Sequence, residues 1–308
     1  MTPARMKPIR SFLFVPGNRE SWIDKCPAAG ADAVILDLED SVPASEKDHA
    51  RALVAGKIAM LSGAGQRTYV RINRSPHLFS FEDLMAVVRT GLEGIVLPMP
   101  NGPEDVALAS AMVAEAESRN GLPPGAVGLA PALETPRALQ LAYECALDKR
   151  VTALIGASAK NADLQRAMGF EWSEDSFESL YLKSRTVMAA RAAGKQPIGG
   201  IWQQVHDLEG LRKYATLNRK LGMSGETILH PSNAAVVNAI FTPSKGDIEY
   251  YAGMIEAFER ACAEGRASVM YAGEHVDTAH AQTARDIVAL GRLYHGPSID
   301  TTQGESTS

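Results

Sequence analysis

The stretch "DAVILDLED" (residues 32–40) runs apolar through Leu36 and then turns acidic at Asp37, Glu39 and Asp40. A short apolar run followed by polar groups and a helix-like segment describes one β/α unit. The pattern repeats along the chain. The other runs are "RSFLFVPG" (10–17), "TYVRIN" (68–73), "GIVLPMP" (94–100), "AVGLAPALE" (126–134), "VTALIGAS" (151–158), "PIGGIWQQV" (197–205) and "ETILHPS" (226–232). Segments such as "EDVALASAMVAEAESRN" and "FESLYLKSRTVMAARAAG" lie between them, rich in helix formers and closed by Asn or Gly. Strand starts spaced by roughly 22 to 45 residues, eight times over, predict a (β/α)₈ TIM barrel. The competing fold, an open doubly wound sheet, usually has fewer strands, and no GxGxxG follows the first one.

Two helical stretches, "SKGDIEYYAGMIEAFERACAEGR" and "TAHAQTARDIVALGRLY", flank a hairpin-like "ASVMYAGEHVD". The expected division is a catalytic barrel over residues 1–240, a C-terminal helical extension over 241–295 and a disordered polar tail over 296–308.

Composition narrows the function. The chain has 308 residues, 45% hydrophobic and 22% charged, with formal net charge −5, so neither nucleic acid nor an anionic membrane is an expected partner. No apolar run reaches the ~18 residues of a spanning helix, and the N-terminus lacks a signal-peptide core. Three widely spaced cysteines (Cys26, Cys145, Cys262) without a CxxC argue against a disulfide framework or zinc site. A cytoplasmic protein is expected.

In a barrel, polar residues at the C-terminal strand ends are the catalytic candidates. These are Arg19 after strand one; Asp37, Glu39 and Asp40 after two; Arg71 and Asn73 after three; Glu134 after five; Asp163 beyond six; and His230 after eight. Glu134 and Asp163 lie about one β/α unit apart, so they should cap neighbouring strands ~5 Å apart, near enough to share a Mg²⁺ ion. The spacing equally allows Glu134 to pair with Arg137 and Asp163 to cap the helix that follows it. Arg71 can clamp a carboxylate or bridge the acids of strand two, which would orient it. His230 is either a base or a packing residue. Lys160 suggests Schiff-base chemistry, but a catalytic lysine needs a desolvated setting and this one stands among Ser, Ala and Asn.

The motifs "RSFLFVPGNRE", "GADAVILDLEDSVPASEK", "YVRIN", "GIVLP", "PALETPRAL", "LHPSN" and "NAIFTPS" follow the order and spacing of the HpcH/HpaI aldolase/citrate lyase family, closest to its citrate lyase beta subunit-like branch. That resemblance spans residues 10–290 or so. It implies a (β/α)₈ barrel, homotrimeric or hexameric, that binds Mg²⁺ and cleaves a carbon–carbon bond in a 3-hydroxyacyl-CoA thioester such as malyl- or citramalyl-CoA. It implies Glu134 and Asp163 as metal ligands, Arg71 as holder of the substrate carboxylate, Pro98 and Arg19 among the substrate contacts with Lys25 beside Arg19, and Asp277 of "GEHVD" as an acid reaching a neighbouring subunit's site. The sequence departs from the family pattern in three places. Ala159 stands three residues after Gly156, where the metal aspartate is usual. Met99 replaces the lysine after "LP", and Gly199-Gly200 precede Trp202 where an acidic "DG" is usual. Two alternatives stay open: a metal-dependent aldolase of free 2-keto acids, and a non-catalytic, complex-dependent subunit.

Overall fold

The computed structural model describes residues 7–156, 159–173 and 175–296. Eight parallel strands alternate with helices: β1 (Ser11–Pro16), β2 (Ala33–Asp37), β3 (Arg67–Arg71), β4 (Gly94–Leu97), β5 (Gly128–Pro131), β6 (Ala153–Ile155), β7 (Gln196–Ile201) and β8 (Gly225–Ile228). Between and after them come α1 (Glu20–Ile23), α2 (Lys47–Gly63), α3 (Phe81–Val87), α4 (Pro103–Arg119), α5 (Pro136–Gln140), α6 (Ala142–Ala146), α7 (Asp163–Met168), α8 (Leu180–Ala192), α9 (Leu208–Leu221) and α10 (Ser232–Phe241). The strand order is β5-β4-β3-β2-β1-β8-β7-β6, and parallel bridges Leu129↔Val151 and Ala132↔Ile155 join the two outer strands. The sheet closes on itself as the (β/α)₈ barrel that the eight runs predicted.

The strands are shorter than the runs because each run includes its turn. Strand two ends at Asp37, and strand five stops three residues before Glu134. Strand six keeps only Ala153–Ile155; Ala157 and Ser158 of its run lie outside the described residues.

Alternate strand residues fill the barrel interior with Phe12, Ile35, Tyr69, Val96, Ala130, Ala153, Ile155 and Ile198. Phe12 and Tyr69 meet edge-on with centroids 4.8 Å apart. Tyr69 fits because residue 94 is glycine: a Cβ there would lie 2.4 Å from the ring. The phenol donates to Glu93 Oε1 (2.9 Å), which gives its buried hydroxyl a partner.

Contacts divide the chain into two compact units, one over Pro8–Asn238 and one holding Lys7 with the chain from Ala239. Within the second, α11 (Lys245–Ala263) and α12 (Thr278–His295) pack with a hairpin of β9 (Val269–Tyr271) and β10 (Glu274–Val276). Met254, Phe258, Val276, Ala281 and Ala284 form its core. Of the expected tail, residues 297–308 lie outside the described residues. No helix among the described residues is long and apolar enough to cross a membrane.

Barrel closure between β1 and β8 leaves no room at Gly225, where a Cβ would sit 2.1 Å from the Ile9 carbonyl oxygen. Gly225→Ala should therefore cost about 3 kcal/mol in urea unfolding, since rigid backbone rather than a side chain must yield.

Candidate active site

A cavity of about 240 Å³ opens at the C-terminal ends of the strands. Its described lining holds the polar groups Asp40, Arg71, Glu134, Asp163, Gln203 and Thr227 amid apolar walls that include Phe14, Val96 and Ile155. Four of the expected site residues thus share one cavity.

Asp37 and Arg71 sit at the same register level on paired strands. Asp37 is 1% exposed. Its Oδ1 accepts from Arg71 Nε (2.7 Å) and the Glu39 amide (3.0 Å); its Oδ2 accepts from Arg71 Nη2 (2.8 Å) and from both the hydroxyl and amide of Ser41. Burial alone would push this carboxyl up, yet the Arg71 hydrogen bonds and charge, with Ser41 and the Glu39 amide, hold it below the usual carboxylate range. Arg71 Nη1 reaches Glu39 Oε2 at 3.1 Å and Asp40 Oδ2 at 3.7 Å, and its guanidinium lies over the Phe14 ring, 5.1 Å from the centroid. One bidentate edge of Arg71 is therefore spent on Asp37, which leaves only its remaining N–H groups for a ligand.

Glu39 is pushed up to about 8 by burial, opposed by Arg71 and reinforced by Asp40, Glu134 and Asp37. Glu134 is pushed up to about 7 by burial, opposed by Arg71 and the Met99 amide and reinforced by Asp163 and Asp40. Glu134 Oε2 accepts from the Met99 N–H at 3.0 Å. Met99 adopts φ +42°, in the left-handed region that a residue with a Cβ rarely enters. That turn aims its amide at Glu134, while Arg74 Nη1 donates to its carbonyl (2.9 Å). Glu134 is not paired with Arg137, whose partners are Glu104 and the Asn101 carbonyl.

Asp163 is the first residue of α7 rather than its cap; the cap position is Ala162, which makes no side-chain bond. The Asp163 carboxylate pairs with Arg166 one turn on. Asn161, at φ +56°, helps turn the chain from β6 into this helix. Lys160 is exposed, without the desolvation that would make its amine a nucleophile.

Other expected site residues do not line the cavity. Pro98 is buried one residue past β4, while Arg19 and Lys25 are exposed, Arg19 preceding α1. His230 Nδ1 lies 2.7 Å from the Ser232 hydroxyl, and its ring meets His206 edge-on. Asp277 belongs to the second unit and caps α12: its Oδ1 accepts from the amides of Ala279 (2.9 Å) and His280 (3.3 Å) and lies 2.7 Å from His280 Nδ1. Those bonds, led by His280, hold it below the usual range. Phe14, Gln203, Thr227 and the Met99 amide escaped the sequence reading because no charge marks them.

The donor set suits a hard divalent cation. Glu134 and Asp163 present oxygens to one cavity, and Asp163 raises the cost of charging Glu134, which a cation between them would relieve. Among the described residues no group of three or more His, Cys, Asp or Glu could hold a metal alone. Two carboxylates would leave the rest of a Mg²⁺ shell to water and substrate oxygens.

A closed parallel barrel with acids and one arginine at its C-terminal mouth is the architecture of an enzyme. The model of the HpcH/HpaI aldolase/citrate lyase family matches residues 10–231, and the chain belongs to that family, one of carbon–carbon lyases. Over 282 residues it is 30% identical to a (3S)-malyl-CoA thioesterase of Cereibacter sphaeroides, covering 92% of this chain and 94% of that one. It is also 30% identical to the citrate lyase subunit beta of Haemophilus influenzae over 272 residues, 88% of this chain and 93% of that one. The Mycobacterium tuberculosis protein CitE, solved in complex with magnesium and pyruvate, is 26% identical with a TM-score of 0.61, covering 77% of this chain and 92% of that one.

Removing Arg71 strands a buried carboxylate. Arg71→Met should cost about 3–5 kcal/mol in urea unfolding at pH 7. Because Asp37 is held below its unfolded value, its contribution is present above the ordinary carboxylate range and lost as pH falls through the lowered one. The variant's stability should accordingly fall less steeply on acidification than that of the parent.

Proposed function

We propose that the chain is a Mg²⁺-dependent lyase that splits a 3-hydroxyacyl-CoA, of malyl- or citramalyl-CoA type, into acetyl-CoA and a 2-keto acid (glyoxylate or pyruvate). The observation that carries this reading is the sharing of one barrel-mouth cavity by Arg71, Glu134 and Asp163. Glu134 and Asp163 would hold the cation. Bound there, it supplies Lewis-acid polarisation of substrate oxygens.

The chain's own residues do the rest. Arg71, oriented by Asp37 and Glu39, offers its remaining N–H groups to the substrate carboxylate. The apolar wall of Phe14, Val96 and Ile155 excludes water around the breaking bond. Cleavage transfers the hydroxyl proton to a base, breaks the bond from the carbinol carbon to the CH₂ group, and leaves the electron pair as the acetyl-CoA enolate. Asp40, whose carboxylate lines the cavity, is the proposed base. A proton must then reach the enolate carbon. The Asp277–His280 pair of a neighbouring subunit, with Asp277 Oδ1 2.7 Å from His280 Nδ1, is the proposed donor. This assignment makes the active form an oligomer, a homotrimer or hexamer, with residues 241–295 completing a neighbour's site. Pro98 and Arg19 keep only an outer role toward the CoA portion.

The thioesterase relative supports a second reading, in which water attacks the thioester and the carbon skeleton survives. Purified protein given Mg²⁺ and a panel of malyl-, methylmalyl- and citramalyl-CoA separates the two. Acyl-CoA (acetyl-CoA, or propionyl-CoA from methylmalyl-CoA) and a keto acid in equal amounts are expected. Free CoA with the intact hydroxy diacid would establish hydrolysis instead.

Glu134→Ala and Asp163→Ala should each lower turnover at least ~100-fold, more than the loss of an outer-shell group. Near-normal Mg²⁺-dependent rates in Asp163→Ala would remove that residue from the site. If sites are completed across subunits, mixing inactive Glu134→Ala and Asp277→Ala proteins should restore part of the activity. Full activity in Asp277→Ala alone would place Asp277 outside the reaction, and an inactive variant with no recovery on mixing would mean that it does not act across subunits.

A further inference from the structure

A second polar cluster lies behind the barrel wall, between strands β7 and β8 and helices α8 and α9. Thr227 of β8 faces the cavity, so its neighbour Glu226 faces the helices. Glu226 is 1% exposed, Lys183 of α8 is 2% and Asn218 of α9 is 0%. Asn218 Nδ2 donates to Glu226 Oε1 at 2.7 Å. The Lys183 ammonium stands 4.4 Å from the centroid of the Tyr214 ring, which in turn packs against Trp202 at 5.7 Å. Glu178, in the 3₁₀ turn Phe177–Ser179 that leads into α8, acts on Lys183 together with Glu226.

Five polar atoms of this cluster have no hydrogen-bond partner among the described residues: Lys183 Nζ, Trp202 Nε1, Glu226 Oε2, Asn218 Oδ1 and Glu178 Oε1. Buried polar atoms are nearly always satisfied, so these orphans call for partners. Two of the atoms donate and three accept. A metal cation would leave Nζ and Nε1 unmet, and an anion would leave the oxygens unmet. Water both donates and accepts. Room for the carboxylate comes from Gly199 of β7, where a Cβ would lie 2.0 Å from Glu226 Oε2.

The geometry points to an internal hydration site, in which ordered water bridges the Lys183 ammonium to the Glu226 carboxylate and to Asn218 Oδ1. Burial pulls the Lys183 amine down to about 8, opposed by Glu226 and Glu178, and pushes the Glu226 carboxyl well up, opposed by Asn218 and Lys183. The site stands independently of the proposed reaction, although Gly200, Ile201 and Thr227 on the same two strands line the cavity.

A crystal structure of the unmodified protein at water-resolving resolution tests it. At least one water within hydrogen-bond distance of both Lys183 Nζ and Glu226 Oε2 is expected. Density placing Nζ directly on the carboxylate, or an empty gap, overturns the proposal. In solution, Lys183→Met and Glu226→Gln should each lower the melting temperature by roughly 10 °C, and the double variant by clearly less than the sum. Additive losses would overturn the coupling. If either single variant fails to fold, the parent crystal structure decides alone.

Discussion

The site is organised around one buried ion pair, Asp37 with Arg71. A carboxylate 1% exposed at the end of a barrel strand is tolerable only with its charge answered, and Asp37 receives hydrogen bonds on both oxygens from Arg71, Ser41 and the Glu39 amide. The pair joins β2 to β3 at the level where the strands end. It also fixes the direction in which the guanidinium faces the cavity. Arg71 cannot be both a free clamp and the counter-charge of Asp37, so the structure gives it the second task first and the substrate only what is left.

That allocation leaves the cavity mouth short of positive charge. Among its described lining residues, Arg71 is the one cation against Asp40, Glu134 and Asp163. Glu39 behind it adds a fourth acid, and burial pushes both Glu39 and Glu134 upward. The Met99 amide, delivered by a backbone conformation unfavourable to methionine, stabilises the charged form of Glu134 and meets part of the deficit. The remainder favours a cationic guest, and the similar Mycobacterium tuberculosis CitE was solved with magnesium bound.

Much of this could be read in advance, and the failures have physical causes. Parallel strands buried on both faces appear as continuous apolar runs, so all eight were visible. Their ends were not, because turn residues such as Leu38 and Leu133 are as apolar as the strands they follow. Spacing suggested both Glu134 and Asp163 as strand caps, yet both lie beyond their strands, Asp163 on a helix of its own. The Glu134–Arg137 pairing, plausible on a helix of ideal phase, fails because Arg137 turns to Glu104. Lys183 and Glu226 were invisible as a pair, since 43 residues separate two unremarkable charged letters and only closure of the barrel brings them together. A charge announces its chemistry in sequence; its burial does not.

The Asp163–Arg166 pair carries a consequence for how this site tolerates an empty state. Any cation that takes Asp163 competes with a guanidinium one helical turn away, on a side chain 79% exposed. Such a solvated pair is weak, so Arg166 behaves as a tethered counter-ion that a stronger ligand displaces at little cost. A cation bound as proposed would therefore be held by the difference between two occupants of Asp163 rather than by the strength of one.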